Sequence, residues 1–135
     1  TYQTNLTAKN ANFYYTIAGR NITAPGKVAA GEWIDTIRGR DRLQVRIQER
    51  VALVTMNADK IPYTDPGIGK IDNEVRAVLS STVTDGFLAS YTVTVPTAAS
   101  QTLVDKAARI LRGYSFVAPI QGAIHLTYIT GTLTN

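Results

Sequence analysis

Two apolar stripes of helical period lie close together in this sequence, and they constrain its fold more than any other feature. Leu43, Ile47, Val51 and Val54 recur at helical spacing, and Ile68, Ile71, Val75, Val78 and Leu79 do so again after a short connection. The first stripe predicts a helix over about residues 41 to 57, with Asp41 as its N-cap. Thr64-Asp65-Pro66 opens the second, over about 66–84, because a hydroxyl or acid caps a helix start and proline suits the first helical turn. Gly86 is its natural stop. A helix with one apolar face must bury that face against another element. Two in succession predict a packed pair.

Strand patterns flank this pair. Phe13, Tyr15 and Ile17 alternate with Asn12, Tyr14 and Thr16, the signature of a half-buried strand. Gly19, Asn21, Pro25, Gly26 and Gly31 then punctuate a long connection. Trp33 to Ile37 reads as a short second strand or as the first turn of the following helix, and strand is the assignment taken. Tyr91-Thr92-Val93-Thr94-Val95 is the clearest strand, closed by Pro96. Ser100 caps a short third helix reaching Leu111, with Leu103, Ala107 and Ile110 facing inward and Gly113 ending it. Tyr114 to Pro119 and Ala123 to Leu133 have strand composition and are separated by Gln121-Gly122.

Residues 1–11 are polar and aperiodic, an extended arm or linker ahead of a single domain at 12–135. The expected class is α+β: a two-layer fold with a mixed or antiparallel sheet carrying two main helices and one short helix on one face. Its core is predicted to hold Phe13, Tyr15, Ile47, Val51, Val75, Leu79, Val93, Val95 and Phe116.

The residues argue against catalysis. The chain has no cysteine, so thiol nucleophiles, redox pairs and zinc–thiolate sites are excluded. One histidine, His125, leaves no two-histidine metal motif, and no G-x-S-x-G elbow offers it a serine; it reads as a structural strand residue. Gly67-Ile68-Gly69-Lys70 lacks the spacing of a phosphate loop and reads as a helix start. The acids Asp35, Asp41, Asp59, Asp65 and Asp72 fall at caps and turns without calcium-loop spacing. Asn5-Leu6-Thr7 and Asn21-Ile22-Thr23 match the glycosylation tripeptide, which chance also produces. No cofactor, metal or membrane anchor is expected, since no apolar run approaches the roughly 18 residues of a span. The start at Thr1 reads as a processed or excised form.

Fourteen basic against ten acidic residues leave a charge of +4, which permits an anionic partner without demanding one. Arg38, Arg40, Arg42, Arg46 and Arg50 stand out, the last three forming an i, i+4, i+8 stripe beside the apolar face of the first helix. One reading is a solvated flank whose stems cover the core edge. The other is contact with an acidic surface. Single-stranded nucleic acid would want aromatics on that helix, and it has none.

Several ordered runs resemble the contractile-tail sheath proteins of long-tailed bacteriophages. They are Gly31-Glu32-Trp33-Ile34-Asp35, Arg38-Gly39-Arg40-Asp41, Ile61 through Ile68, Tyr91 to Pro96, and Phe116 through Gly122-Ala123-Ile124-His125 to Gly131-Thr132-Leu133. The likeness extends from about Asn12 onward. It implies a structural virion protein that polymerises around an inner tube, contracts during injection, and is assembled in the host cytoplasm. The implied partners are other sheath subunits and the tube protein. Family members are several times longer, so the resemblance implies a C-terminal inner-domain portion or a reduced relative, with a baseplate or terminator subunit as a variant. In this reading Arg42, Arg46 and Arg50 meet the tube or a neighbouring subunit, while Thr127, Ile129, Gly131 and Leu133 pair with a neighbour's sheet. The isolated fragment is then expected to be monomeric. The alternative from another class is a basic nucleic-acid-binding domain, although no nucleic acid is expected on the sheath reading.

Overall fold

Thr64 starts the second long helix by capping it: its side-chain oxygen accepts from the Gly67 amide at 3.4 Å, with Pro66 in the first turn. The computed structural model describes residues 2–125 and 127–131. The helix so begun, α3 (Asp65–Thr84), packs against α2 (Ile34–Asn57). α3 ends as its glycine predicts. Gly86 takes a positive φ, and the Gly86 and Phe87 amides donate back to Val83 and Thr82.

Leu43 on α2 meets Val75, Val78 and Leu79 on α3, together with Leu88 just beyond it, in one buried cluster. Ile47 and Val51 extend this cluster along α2, so both sequence stripes face each other. A second, smaller layer closes it. Strand β3 (Thr92–Thr94) pairs antiparallel with β4 (Ser115–Val117), and Tyr91, Val93, Tyr114 and Ala118 pack on the cluster. The protein is mixed α+β.

The strands do not join into a single sheet. β1 (Phe13–Ile17) pairs instead with β2 (Arg20–Ala24), giving two separate two-stranded antiparallel sheets among the described residues. Ala18 and Gly19, both at positive φ, form the two-residue turn between them, so the expected long connection contains a strand. Phe13 and Tyr15 therefore pack against each other, ring centroids 5.4 Å apart and planes tilted by 41°, and do not join the helical core. Val95 also lies outside that cluster and Phe116 is exposed, which corrects the predicted core at four positions. Asn12 ties the hairpin to the next loop: its oxygen accepts from the Gly26 and Lys27 amides, and its nitrogen donates to the Lys27 carbonyl.

Three further expectations are corrected. The proposed arm contains a short helix, α1 (Tyr2–Ala8), stopped by Asn10 in the left-handed region while the Ala11 amide returns to Leu6. Trp33 to Ile37 is not a strand, because Trp33 is the N-cap of α2 and Asp41 lies well inside that helix. The short helix α4 spans Leu103–Ala108, is capped by Thr102, not Ser100, and exposes Leu103 and Ile110. It stops at Arg109, which sits in the left-handed region ahead of Gly113.

Candidate assembly interface

The arginine stripe is held by acids on the partner helix. Arg42 and Arg46 both approach Asp85, the C-cap of α3, at 3.5 and 3.6 Å, and Arg50 approaches Glu74 at 3.5 Å. Their stems flank the Leu43–Ile47–Val51 face, and their heads remain largely in solvent. Exposed pairs of this kind contribute only about 0–1 kcal/mol each. Two guanidinium groups sharing one carboxylate leave a net positive charge at this end of the helix pair. Arg38, Arg42, Arg46, Asp35 and Asp85 line a notch of about 270 Å³ there, beside Phe87. Spacing along α2 revealed the stripe, but Asp85 and Glu74 are distant in sequence and gave no local signal.

The segment meant for strand pairing is separate from this stripe. Beyond the Gln121 amide, which donates to the Phe87 carbonyl, residues 122–125 and 127–131 carry no regular structure. The expected strand is therefore not formed: Thr127, Ile129 and Gly131 are exposed coil, and Leu133 lies outside the described residues. Strand propensity needs a neighbouring strand to satisfy the backbone, and none is adjacent within the described chain. Ile124, Tyr128 and Ile129 are 86, 86 and 89% exposed, an uncommon state for three large apolar side chains within six residues of sequence.

One side chain pins this segment. His125 stacks on Trp33 with ring centroids 4.3 Å apart and planes 14° from parallel, and Lys27 approaches the same indole at 5.1 Å. The histidine thus joins the trailing segment to the N-cap of α2, a contact no sequence pattern suggested.

A second tie orders the far end of the helix pair. The Tyr63 hydroxyl donates to the Ile110 carbonyl at 2.8 Å, and Gln101 exchanges two hydrogen bonds with the Arg112 backbone. Arg112 in turn donates to Asp105 at 2.8 Å, which holds that carboxyl below its ordinary range and raises the guanidinium above its own. Inside, Asp72 receives Arg76 Nε and the Tyr114 hydroxyl. Burial first, and the Asp72 carboxylate second, push the Tyr114 phenol above the usual tyrosine range.

No cluster of three or more histidines and acids is placed to hold a metal ion among the described residues. No described helix is long and apolar enough to cross a membrane. The Gly67–Lys70 run forms the first turns of α3, where Gly67 lies under the Pro62 carbonyl, so close packing accounts for that glycine. Compared with known proteins, the chain matches no family model and no curated sequence.

Proposed function

We propose that this chain is an assembly domain of a contractile phage tail sheath, a structural protein that joins copies of itself around an inner tube. The observation that carries the reading is the exposed run at 122–125 and 127–131, in a stretch rich in β-branched and aromatic residues and unpaired with any described strand. From Gly113 onward the sequence has no lysine, arginine, aspartate or glutamate. A protein that stays monomeric usually blunts such a segment with charge or proline. One that adds strands to a neighbour keeps it free, because backbone groups supply the affinity and alternate side chains the register. The ordered runs that resemble those of sheath proteins are consistent with this reading.

The mechanism follows from the contrast between a packed helix pair and a trailing segment without regular structure. The α2–α3 pair is the body that moves, and the trailing segment is the tether that persists while bodies repack. Contraction then needs two packings of similar free energy across each subunit pair. The arginine flank suits a contact that must break. Its net positive end offers an acidic tube surface several weak interactions, multiplied over every ring.

The test is deletion of the chain from Ile129 onward in the full-length gene product, followed by pelleting and electron microscopy. The expected result is a folded protein, unchanged in helical circular dichroism, that no longer forms tubes. Tubes from the truncated protein would rule out the tether. Reversal of Arg46 and Arg50 to glutamate should give empty or prematurely contracted sheaths; normal extended tails would return the stripe to a solvated flank.

A further inference from the structure

Two further surfaces stand out besides the strand tether and the arginine flank. The first is a groove of about 590 Å³ at the far end of the helix pair, between the connection at 58–63 and α4. Its floor is apolar, built from Ile61, Ile68, Ile71 and Leu111. Lys60, Lys106 and Arg109 line it against one acid, Asp59. None of these three cations has an ion pair among the described residues. Arg109 occupies the left-handed stop of α4, a position where glycine costs least, so the fold keeps a cation on the groove at some conformational expense.

The second surface is the outer face of α2. A 24-residue helix with only one apolar face would be polar opposite Leu43, Ile47 and Val51. This one is not: Val45, Leu53 and Met56 are 49, 50 and 80% exposed there. Asp41 and Glu49 share that face and, among the described residues, form no ion pair. Eight residues apart, they lie about 12 Å from each other along the helix. One surface is therefore apolar with two unpaired acids, bordered by Arg38 and by Arg42, whose head turns to Asp85, and the other is apolar with unpaired bases.

We infer that the Asp41–Met56 face of one copy docks in the Lys60–Lys106–Arg109 groove of the next. Apolar helix faces seat in apolar grooves by this mode, with flanking charges fixing orientation. The groove begins at Thr55 on α2 itself, so the outer face of this same helix cannot fold back into the groove of its own chain. The contact is between molecules, and because the two surfaces differ it is head-to-tail, the kind that propagates as a helix unless rotation closes it. Choosing a second copy as the occupant rests on the assembly reading above; the complementarity of the surfaces does not.

The test uses the full-length gene product in three forms: Asp41→Lys/Glu49→Lys, Lys60→Glu/Lys106→Glu, and the chain carrying all four changes. Self-association is followed by analytical sedimentation at low and high salt, tube formation by microscopy, and folding by circular dichroism. Each double variant should lose at least ten-fold in self-association while staying folded, and the fourfold variant should regain most of it. Raised salt should weaken the unaltered protein's association, because exposed charges are screened over about 10 Å at 0.1 M. If both double variants associate like the unaltered protein, or the fourfold variant fails to recover, the inference is overturned. A defect confined to the groove variant also overturns it and assigns the groove to a different acidic partner. Unaltered protein that forms tubes indifferent to these charges would leave the sheath reading standing without this contact. Salt-sensitive association that never yields tubes would leave the contact and remove the sheath. No association at all would overturn both.

Discussion

Gly67 and Gly69 lie two residues apart in the first turns of α3, and replacing each with alanine should move stability in opposite directions. Alanine is the better helix former by about 1 kcal/mol, and that gain applies to both. A Cβ at Gly69 meets nothing within 4 Å, so Gly69→Ala should keep the whole gain. A Cβ at Gly67 would overlap the Pro62 carbonyl oxygen and stand 3.1 Å from its carbon. That carbonyl also accepts from the Thr64 amide at 2.9 Å, so moving it by the required ångström or more disturbs the residue that caps α3. Overpacking costs about 1–3 kcal/mol and a lost N-cap about 1. The net for Gly67→Ala is a loss of about 1–3 kcal/mol. At about 2.1 cal/mol/K per residue, 1 kcal/mol corresponds to about 3–4 °C for a chain of this size. Thermal unfolding followed by far-UV circular dichroism should show Gly69→Ala about 3 °C above the unaltered protein and Gly67→Ala about 4–10 °C below it. A Gly67→Ala protein as stable as Gly69→Ala would refute the close packing of the 58–63 connection on α3, and with it the wall of the groove.

Two other outcomes follow from named contacts. Tyr114 holds its proton more tightly folded than unfolded, so the folded state binds more protons once pH passes the ordinary phenol value of about 10; stability present below that value is lost as pH rises above it. Urea unfolding between pH 8 and 11.5 should show this decline, and Tyr114→Phe should flatten it; an equal slope in both proteins would contradict the assignment. His125→Ala removes a stacked ring worth about 0.5–1.5 kcal/mol and should raise acrylamide quenching of Trp33, the sole tryptophan, and proteolysis near Tyr128, with the helix-pair melting temperature unchanged. Unchanged quenching and cleavage would show that the stack does not hold the segment.

The helix pair was legible because its signals are local. Thr64, Pro66 and Gly86 mark α3 at both ends, and the stripes through Leu43 and Val75 identify the buried faces. The start of α2 was hidden because Trp33 caps without a side-chain hydrogen bond and Gly39 breaks the pattern. Gly39 is explained only in three dimensions, since a Cβ there would overlap the Phe87 ring. Hairpin β1–β2 was missed because Ala18, in place of asparagine or aspartate, occupies the first left-handed turn position. Helix α1 buries no residue, so no apolar stripe announced it. Residues 123–131 mislead for the opposite reason: they have strand composition, but 123–125 and 127–131 have no partner strand among the described residues. In the candidate interface, the arginines were visible along one helix, whereas Asp85, Glu74 and the Trp33–His125 stack join distant parts of the chain.

Electron microscopy of the unaltered full-length gene product tests the central claim most directly. Concentrated at low salt, it should form hollow tubes with a regular helical repeat and without added nucleic acid. Dispersed single particles under those conditions, with polymers appearing only when DNA or RNA is supplied, would contradict a sheath and favour a basic nucleic-acid-binding domain.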